Sequence, residues 1–238
     1  KGFFNEVRKG ALPTTAALNT NDYLEYFEPV LKQGEDILYV AFSSAMSNTF
    51  EYMNKAIEEL KIKYPERKIT VYDTRSISIG SGMQIYYAAL MKQNGASDEE
   101  IIEFLKSFTP KVRTIFVVED LKHLKRGGRI SSAAATFGTL FNIKPILHIP
   151  MESGKVESLA KAKGRKMAVR MLAEYATQNT DTNYRIMVTH ADCENDADNL
   201  IEAIKEKLPQ AEITKQFVGP VIGAHCGADV LGVSYITL

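Results

Sequence analysis

The chain has no tryptophan, only two cysteines, and no excess of either charge: 29 Lys and Arg balance 29 Asp and Glu in 238 residues. That balance removes any global electrostatic case for nucleic acid or a strongly anionic surface as partner. Cys193 and Cys226 stand far apart, which argues against a disulfide framework and for free thiols in a cytoplasmic protein. No apolar run approaches the roughly twenty residues of a membrane-spanning helix, and no secretory leader is read at the start. Nucleotide signatures are missing as well. Gly80-Ser81-Gly82 lacks the third glycine of a dinucleotide fingerprint, and there is no P-loop. A G-x-S-x-G nucleophile elbow is absent. His190, Cys193, His225 and Cys226 match no usual metal-ligand spacing, so no metal and no cofactor are expected. What remains is ordinary globular composition, 45% hydrophobic and 24% charged, with no repeat or low-complexity segment.

The length allows one large core or two smaller ones, and the pattern favours two. A helix is expected over 22–33, capped by Asn19, Thr20 or Asn21. Tyr23, Tyr26, Phe27 and Val30 form its apolar stripe, Pro29 interrupts it and Gly34 ends it. The continuous apolar run 37–42 reads as a strand covered on both faces. A helix over 49–64, a strand over 69–73 and helices over 82–93 and 99–108 come next, the last capped by Ser97. This alternation predicts a parallel-sheet α/β/α domain over 1–110. Past Thr109-Pro110 the pattern predicts an α+β domain over 111–238 with a mixed sheet. Its strands fall at 114–118, 144–149, 155–163, 185–190, 212–218 and 230–236, and its helices at 132–141, 165–178 and 195–207.

Three segments carry chemistry. In Leu121-Lys122-His123-Leu124-Lys125-Arg126-Gly127-Gly128-Arg129-Ile130-Ser131, the glycine pair permits φ > 0 and close backbone approach. Ser131 or Ser132 can cap the next helix, and a helix N-terminus with Arg129 beside it can hold an anion. The second segment, Ser43-Ser44-Ala45-Met46-Ser47-Asn48-Thr49-Phe50, lies outside the carboxyl end of a buried strand, where ligands of open α/β sheets gather. Ser47 there can cap the next helix or, with free backbone N–H groups, hold a carboxylate or phosphate. The third, Gly219 to Gly227, reads as a turning loop that carries His225 between two strands. Lys122, His123, Lys125 and Arg126 form a basic cluster, read as a solvated face or a partner surface.

These segments resemble the DegV family, which includes the fatty-acid-binding subunits of bacterial fatty-acid kinase. Leu121 to Ser131 matches the family's L-x-x-L-x-x-G-G-R-I-S without exception, and Ile143-Lys144-Pro145-Ile146-Leu147 resembles the family's next segment. Ser43, Ser44, Ser47 and Thr49 match S-S-x-x-S-G-T-Y, with Asn48 and Phe50 replacing its glycine and tyrosine. Gly223, His225 and Gly227 match G-x-H-x-G-P-G, with Ala228 and Asp229 in place of Pro-Gly. Of the family's T-S-Q-P, only the threonine remains, best aligned as Thr15. The resemblance runs from Ala11 on and implies a further strand and an Asp-Ser loop ahead of Lys1.

It further implies a two-domain carrier with a long-chain fatty acid in a tunnel between the domains. Thr15, Ser47, Arg129 and His225 would bind the carboxylate, and Ser43, Ser44, Gly127, Gly128, Ser131, Gly223 and Gly227 would shape the loops around it. Catalysis would belong to a partner fatty-acid kinase, with no nucleic acid partner and only transient membrane contact. Two other readings stand beside this one: a serine acyl-ester hydrolase or thioesterase using Ser47 and His225, and a lipid sensor without a kinase.

Overall fold

The computed structural model describes residues 2–119, 121–130 and 142–238. The expected helix 132–141 and Ser131 lie outside these residues. Two sheets organise the rest. The smaller pairs β1 (Ile37–Ala41) with β2 (Ile69–Asp73) in parallel, from Ile37 opposite Ile69 to Ala41 opposite Asp73. Strand alternation sends successive side chains to opposite faces. On one face Ile37, Tyr39 and Val71 pack with Tyr23, Phe27 and Leu31 of α2 (Thr20–Lys32) and Met53, Ile57 and Leu60 of α3 (Thr49–Lys63). On the other, Leu38, Val40 and Tyr72 meet Ala88 of α4 (Ile79–Gln93) and Ile101 and Leu105 of α5 (Asp98–Phe108). Caps fix two of these helices as expected. Asn19 accepts from the Asn21 and Asp22 N–H groups, and Ser97 forms a reciprocal capping box with Glu100. The expected stripe of α2 needs one correction: Tyr26 is 67% exposed, and the buried row is Tyr23, Phe27 and Leu31 at four-residue spacing.

The larger sheet has six strands in the order β5-β4-β3-β8-β6-β7: β3 (Val112–Val117), β4 (Ile143–His148), β5 (Glu157–Lys163), β6 (Ile186–His190), β7 (Ile213–Phe217) and β8 (Leu231–Ile236). Only β6 and β7 pair in parallel, so the sheet is mixed. One face, with Ile115, Val117, Val188 and Val233, is covered by Leu172 and Ala176 of α7 (Arg165–Thr177) and Leu200 and Ile204 of α8 (Glu194–Lys207). The opposite face presents Phe116, Val118, Leu147 and Ile149 to three short helices: α1 (Gly2–Arg8), α6 (Lys122–Arg126) and α9 (Pro220–Cys226). None of the three was expected. The segment 219–227 is a helix rather than a turning loop. Its start at Pro220 in the first turn and its end at Gly227, with φ +84°, obey the usual proline-first, glycine-last asymmetry. First in the chain, α1 nevertheless joins the larger sheet. Phe4 and Val7 are buried there, and Arg8 bridges Asp192 at 2.7 Å and Asp229 at 2.6 Å.

Helix α4 touches both sheets, and a buried chain of hydroxyls and one amide runs along it. Tyr72 shares a hydrogen bond with Thr109, and Thr109 donates to Gln84 Oε1. Gln84 donates to the Thr74 carbonyl, and Thr74 pairs with Ser81. Ser81 donates to the Ser76 carbonyl, Ser76 pairs with Thr114 at 3.2 Å, and Thr114 with Ser234 at 2.8 Å. Such groups tolerate burial because each has a partner. Among the described residues, no helix is long and apolar enough to cross a membrane.

Candidate functional site

The glycine pair after α6, helix α9 and the serine loop before α3 converge beside the exposed strap that leads into α2. Thr15 Oγ1, on that strap, shares a 2.9 Å hydrogen bond with His225 Nε2 on α9. Arg126 ties the same strap down, donating to the carbonyls of Pro13 (3.0 Å) and Ala224 (3.3 Å). The two glycines after α6 serve different ends. Gly128 has φ +67°, which only the lack of a side chain makes easy. Gly127 has an ordinary φ, but a Cβ there would meet His225 Nδ1 at 2.6 Å. The close approach expected of this pair is therefore made to His225. Likewise Gly223 lies against the rings of Phe3 and Phe4, and Gly227 against the His123 ring.

Arg129 carries the contact between segments further. Its Nε donates to the Met46 carbonyl at 3.2 Å, and its guanidinium also donates to the Gly127 carbonyl. That bond joins the glycine loop to the serine loop. Ser47, next to Met46, is half-buried, and its Oγ accepts the Thr49 N–H at 3.2 Å. Asn48 stands at the formal cap position of α3 but makes no side-chain cap bond; the hydroxyl that satisfies the first N–H of the helix is that of Ser47, one residue earlier, as expected. Ser43 and Ser44 brace the loop. Buried Ser43 donates to the Gly154 carbonyl at 2.7 Å, and Ser44 donates its N–H and its hydroxyl to Asp73. Asp73 also accepts the Arg75 N–H, and Arg75 in turn donates to the Met151 and Glu152 carbonyls. Sequence reading missed Asp73, and gave Arg126 only as part of a basic cluster. The signal for the first was an acidic residue ending a strand just before a Thr-Arg-Ser turn.

No hydrogen bond joins Ser47 to His225; each is bonded elsewhere. The Cys193 thiol is pushed up to about 11 and that of Cys226 to about 12, both by burial, so neither is a ready nucleophile. Among the described residues, no group of three or more His, Cys, Asp and Glu is arranged to hold a metal ion.

Burial holds the His225 imidazole below its ordinary value of 6.5, and the Arg129 and Arg126 charges add to the effect. Burial also lowers His148 and His190. Between their folded values and 6.5 the unfolded chain binds protons that the folded one does not, so stability falls as pH drops through that range. The urea midpoint should therefore be lower at about pH 5.5 than at about pH 7.5, and His225→Gln should flatten part of that slope.

An apolar cavity of ≈ 30 Å³ adjoins this cluster. Phe116, Thr189 and Gly232 of the larger sheet form its floor, Ile77 and Ile79 lie across it, and Ile222 and Cys226 of α9 close one side.

Fold and site define a two-sheet α/β protein with a cluster of hydroxyls, arginine and histidine at the edge of an apolar cavity. The chain belongs to the DegV family. The family model described as "Uncharacterised protein, DegV family COG1307" matches residues 1–238. A DegV domain-containing protein of Clostridium perfringens is 42% identical over 238 residues, covering 99% of this chain and 81% of that protein. Among solved structures, a fatty-acid-binding DegV family protein from Thermus thermophilus is 30% identical with a TM-score of 0.85, covering 100% of this chain and 84% of that one. DegV of Bacillus subtilis, a fatty-acid-binding protein, is 32% identical with a TM-score of 0.81, covering 99% and 83%.

Proposed function

We propose that this protein is a carrier that holds a long-chain fatty acid and presents its carboxyl group to a separate ATP-dependent fatty-acid kinase. The observation that carries the reading is a junction of two neighbouring residues. Cys226 lines the apolar cavity, while His225 bonds Thr15 and lies against Gly127. An amphiphile with an apolar tail and one anionic head suits a site divided in that way. Thr15, Ser47 and Arg129 supply two hydroxyls and a guanidinium, and a buried carboxylate needs such partners to offset its desolvation. Fatty-acid binding by the Thermus and Bacillus relatives supports the same assignment.

The energetics are favourable. Burying about fourteen methylenes contributes on the order of 11 kcal/mol gross. Ordering and association remove several kcal/mol of this. Ligand pockets usually enclose about 300–1,000 Å³. The cavity of ≈ 30 Å³ must therefore widen, and the division between units 1–110 and 111–238 is the proposed line along which it opens, with α1 staying on the larger sheet it packs against. The proposed setting is the cytoplasm, with positioning supplied by this chain and phosphoryl transfer by the kinase.

Denaturing the purified protein and analysing the extract by mass spectrometry should recover a long-chain fatty acid at about one per chain. Finding no lipid, together with no thermal stabilisation by added fatty acid, would refute the reading. The hydrolase alternative predicts turnover of p-nitrophenyl or thioester substrates by the protein alone, lost in Ser47→Ala. A carrier should show none, yet support acyl-phosphate formation once the kinase is added. His225→Ala should impair that coupled reaction more than it impairs binding.

A further inference from the structure

We infer that Gly232, facing Phe116 and Thr189 in one row of the larger sheet, sets the length of acyl chain this protein accepts; the inference rests on the carrier reading above. Strand register brings the three residues together. Gly232 pairs with Phe116 on β3 and with Thr189 on β6, and all three line the cavity. The next row inward is Thr114, Ser234 and Met187. There the hydroxyls of Thr114 and Ser234 are bonded to each other, and Thr114 to Ser76. A methyl end gains nothing by parting hydroxyls that already satisfy one another, so the apolar path stops at Thr114. In the row of Gly232 the Thr189 hydroxyl is bonded to the Gln216 carbonyl and its methyl lies beside the glycine, so this is the last step before that stop.

A glycine inside a strand has no side chain to pack and marks a place where something approaches the backbone closely. A Cβ at Gly232 would meet Thr189 Cγ2 at 3.2 Å and the Phe116 Cβ at 3.3 Å. The residues two places before and after it, Val230 and Ser234, both carry side chains, so Gly232 is the bare patch of the floor. Three paired strands make that floor stiff. The opposite wall is a loop with Ser78 at φ +51°, Ile79 at the start of α4, and the seven-residue helix α9. An entering chain displaces the loop and the helix, while the floor decides how far it penetrates. The cavity is narrow, ≈ 30 Å³, and a methyl added to its floor would stand in the path of the entering chain.

The test measures affinity for saturated fatty acids of graded length, together with the lipids that co-purify, in the whole chain and its variants. Gly232→Ala should shorten the preferred chain, with about a fourfold loss of affinity for each methylene excluded. Shorter chains that stop before the row should bind as they do to the unmodified protein. Gly232→Ala/Thr189→Ser removes the Cγ2 that crowds the new methyl but keeps the hydroxyl that donates to the Gln216 carbonyl. It should show the same shortening with a smaller loss of stability than Gly232→Ala alone. Phe116→Leu should shift the profile the other way, toward longer or branched chains. An unchanged length profile in the alanine variants, or an equal loss at every length in folded protein, overturns the assignment. If the unmodified protein binds no fatty acid of any length, the carrier reading falls and this inference falls with it.

Discussion

Arg129→Ala should weaken long-chain fatty-acid binding roughly ten- to hundredfold, the range for losing a hydrogen bond to a charged group. Two effects combine. The guanidinium is the cation proposed to face the carboxylate. It also donates to the Met46 and Gly127 carbonyls, so its removal loosens the link between the serine loop and the glycine loop. Arg129→Lys separates these effects, because lysine keeps the charge but loses the planar fork that reaches both carbonyls. Thr15→Ala and Ser47→Ala should each cost about 1–3 kcal/mol of binding. Thr15→Ala also unties the strap from His225 and should speed ligand release. Titration of a fluorescent fatty acid against each variant measures all of these, and unchanged affinity in all of them would put the head group elsewhere.

Gly80→Ala should destabilise the protein by about 3 kcal/mol, although it adds only one methyl group. The new Cβ would lie 2.1 Å from Thr114 Oγ1 and 2.2 Å from Ser76 Oγ. Both residues are buried, and their hydroxyls belong to the chain that runs along α4 to Ser234. Moving them breaks bonds that have no water to replace them. Gly82, two residues along the same helix, has open space around it. Gly82→Ala should therefore stabilise the protein by about 0.5–1 kcal/mol through helix propensity alone. Urea unfolding of the pair decides the matter. Equal effects at the two positions would mean that the seam around Thr114 is not tightly packed.

Much of the fold was legible because its causes are local. A cap, an apolar spacing and a terminating glycine lie within one helix of each other. That is why α3, α7 and α8 and every described strand fall within a few residues of their expected places. Helices of one or two turns were not legible. Helices α1, α6 and α9 are five to seven residues long, too short for a periodic stripe, and they hold by packing Phe4, Leu124 and Cys226 on the larger sheet. Tyr26 failed for a related reason: on α2 it is as apolar as Tyr23, and only the position of β1 decides which ring is covered.

By itself the sequence determined the order of the strands and of the longer described helices, the mixed character of the second sheet, the family, and the residue types available for an anionic head group. Each is encoded in short runs of the chain, where neighbours along the backbone decide conformation. Only the tertiary structure decided what those residues touch. Thr15 and His225 are 210 positions apart and meet because α9 lies against the strap. Gly127 is a glycine for the sake of His225, and Gly80 for the sake of Thr114 on the neighbouring sheet. Long-range contacts of this kind depend on how sheets and helices stack to bury apolar surface, and no local pattern records that.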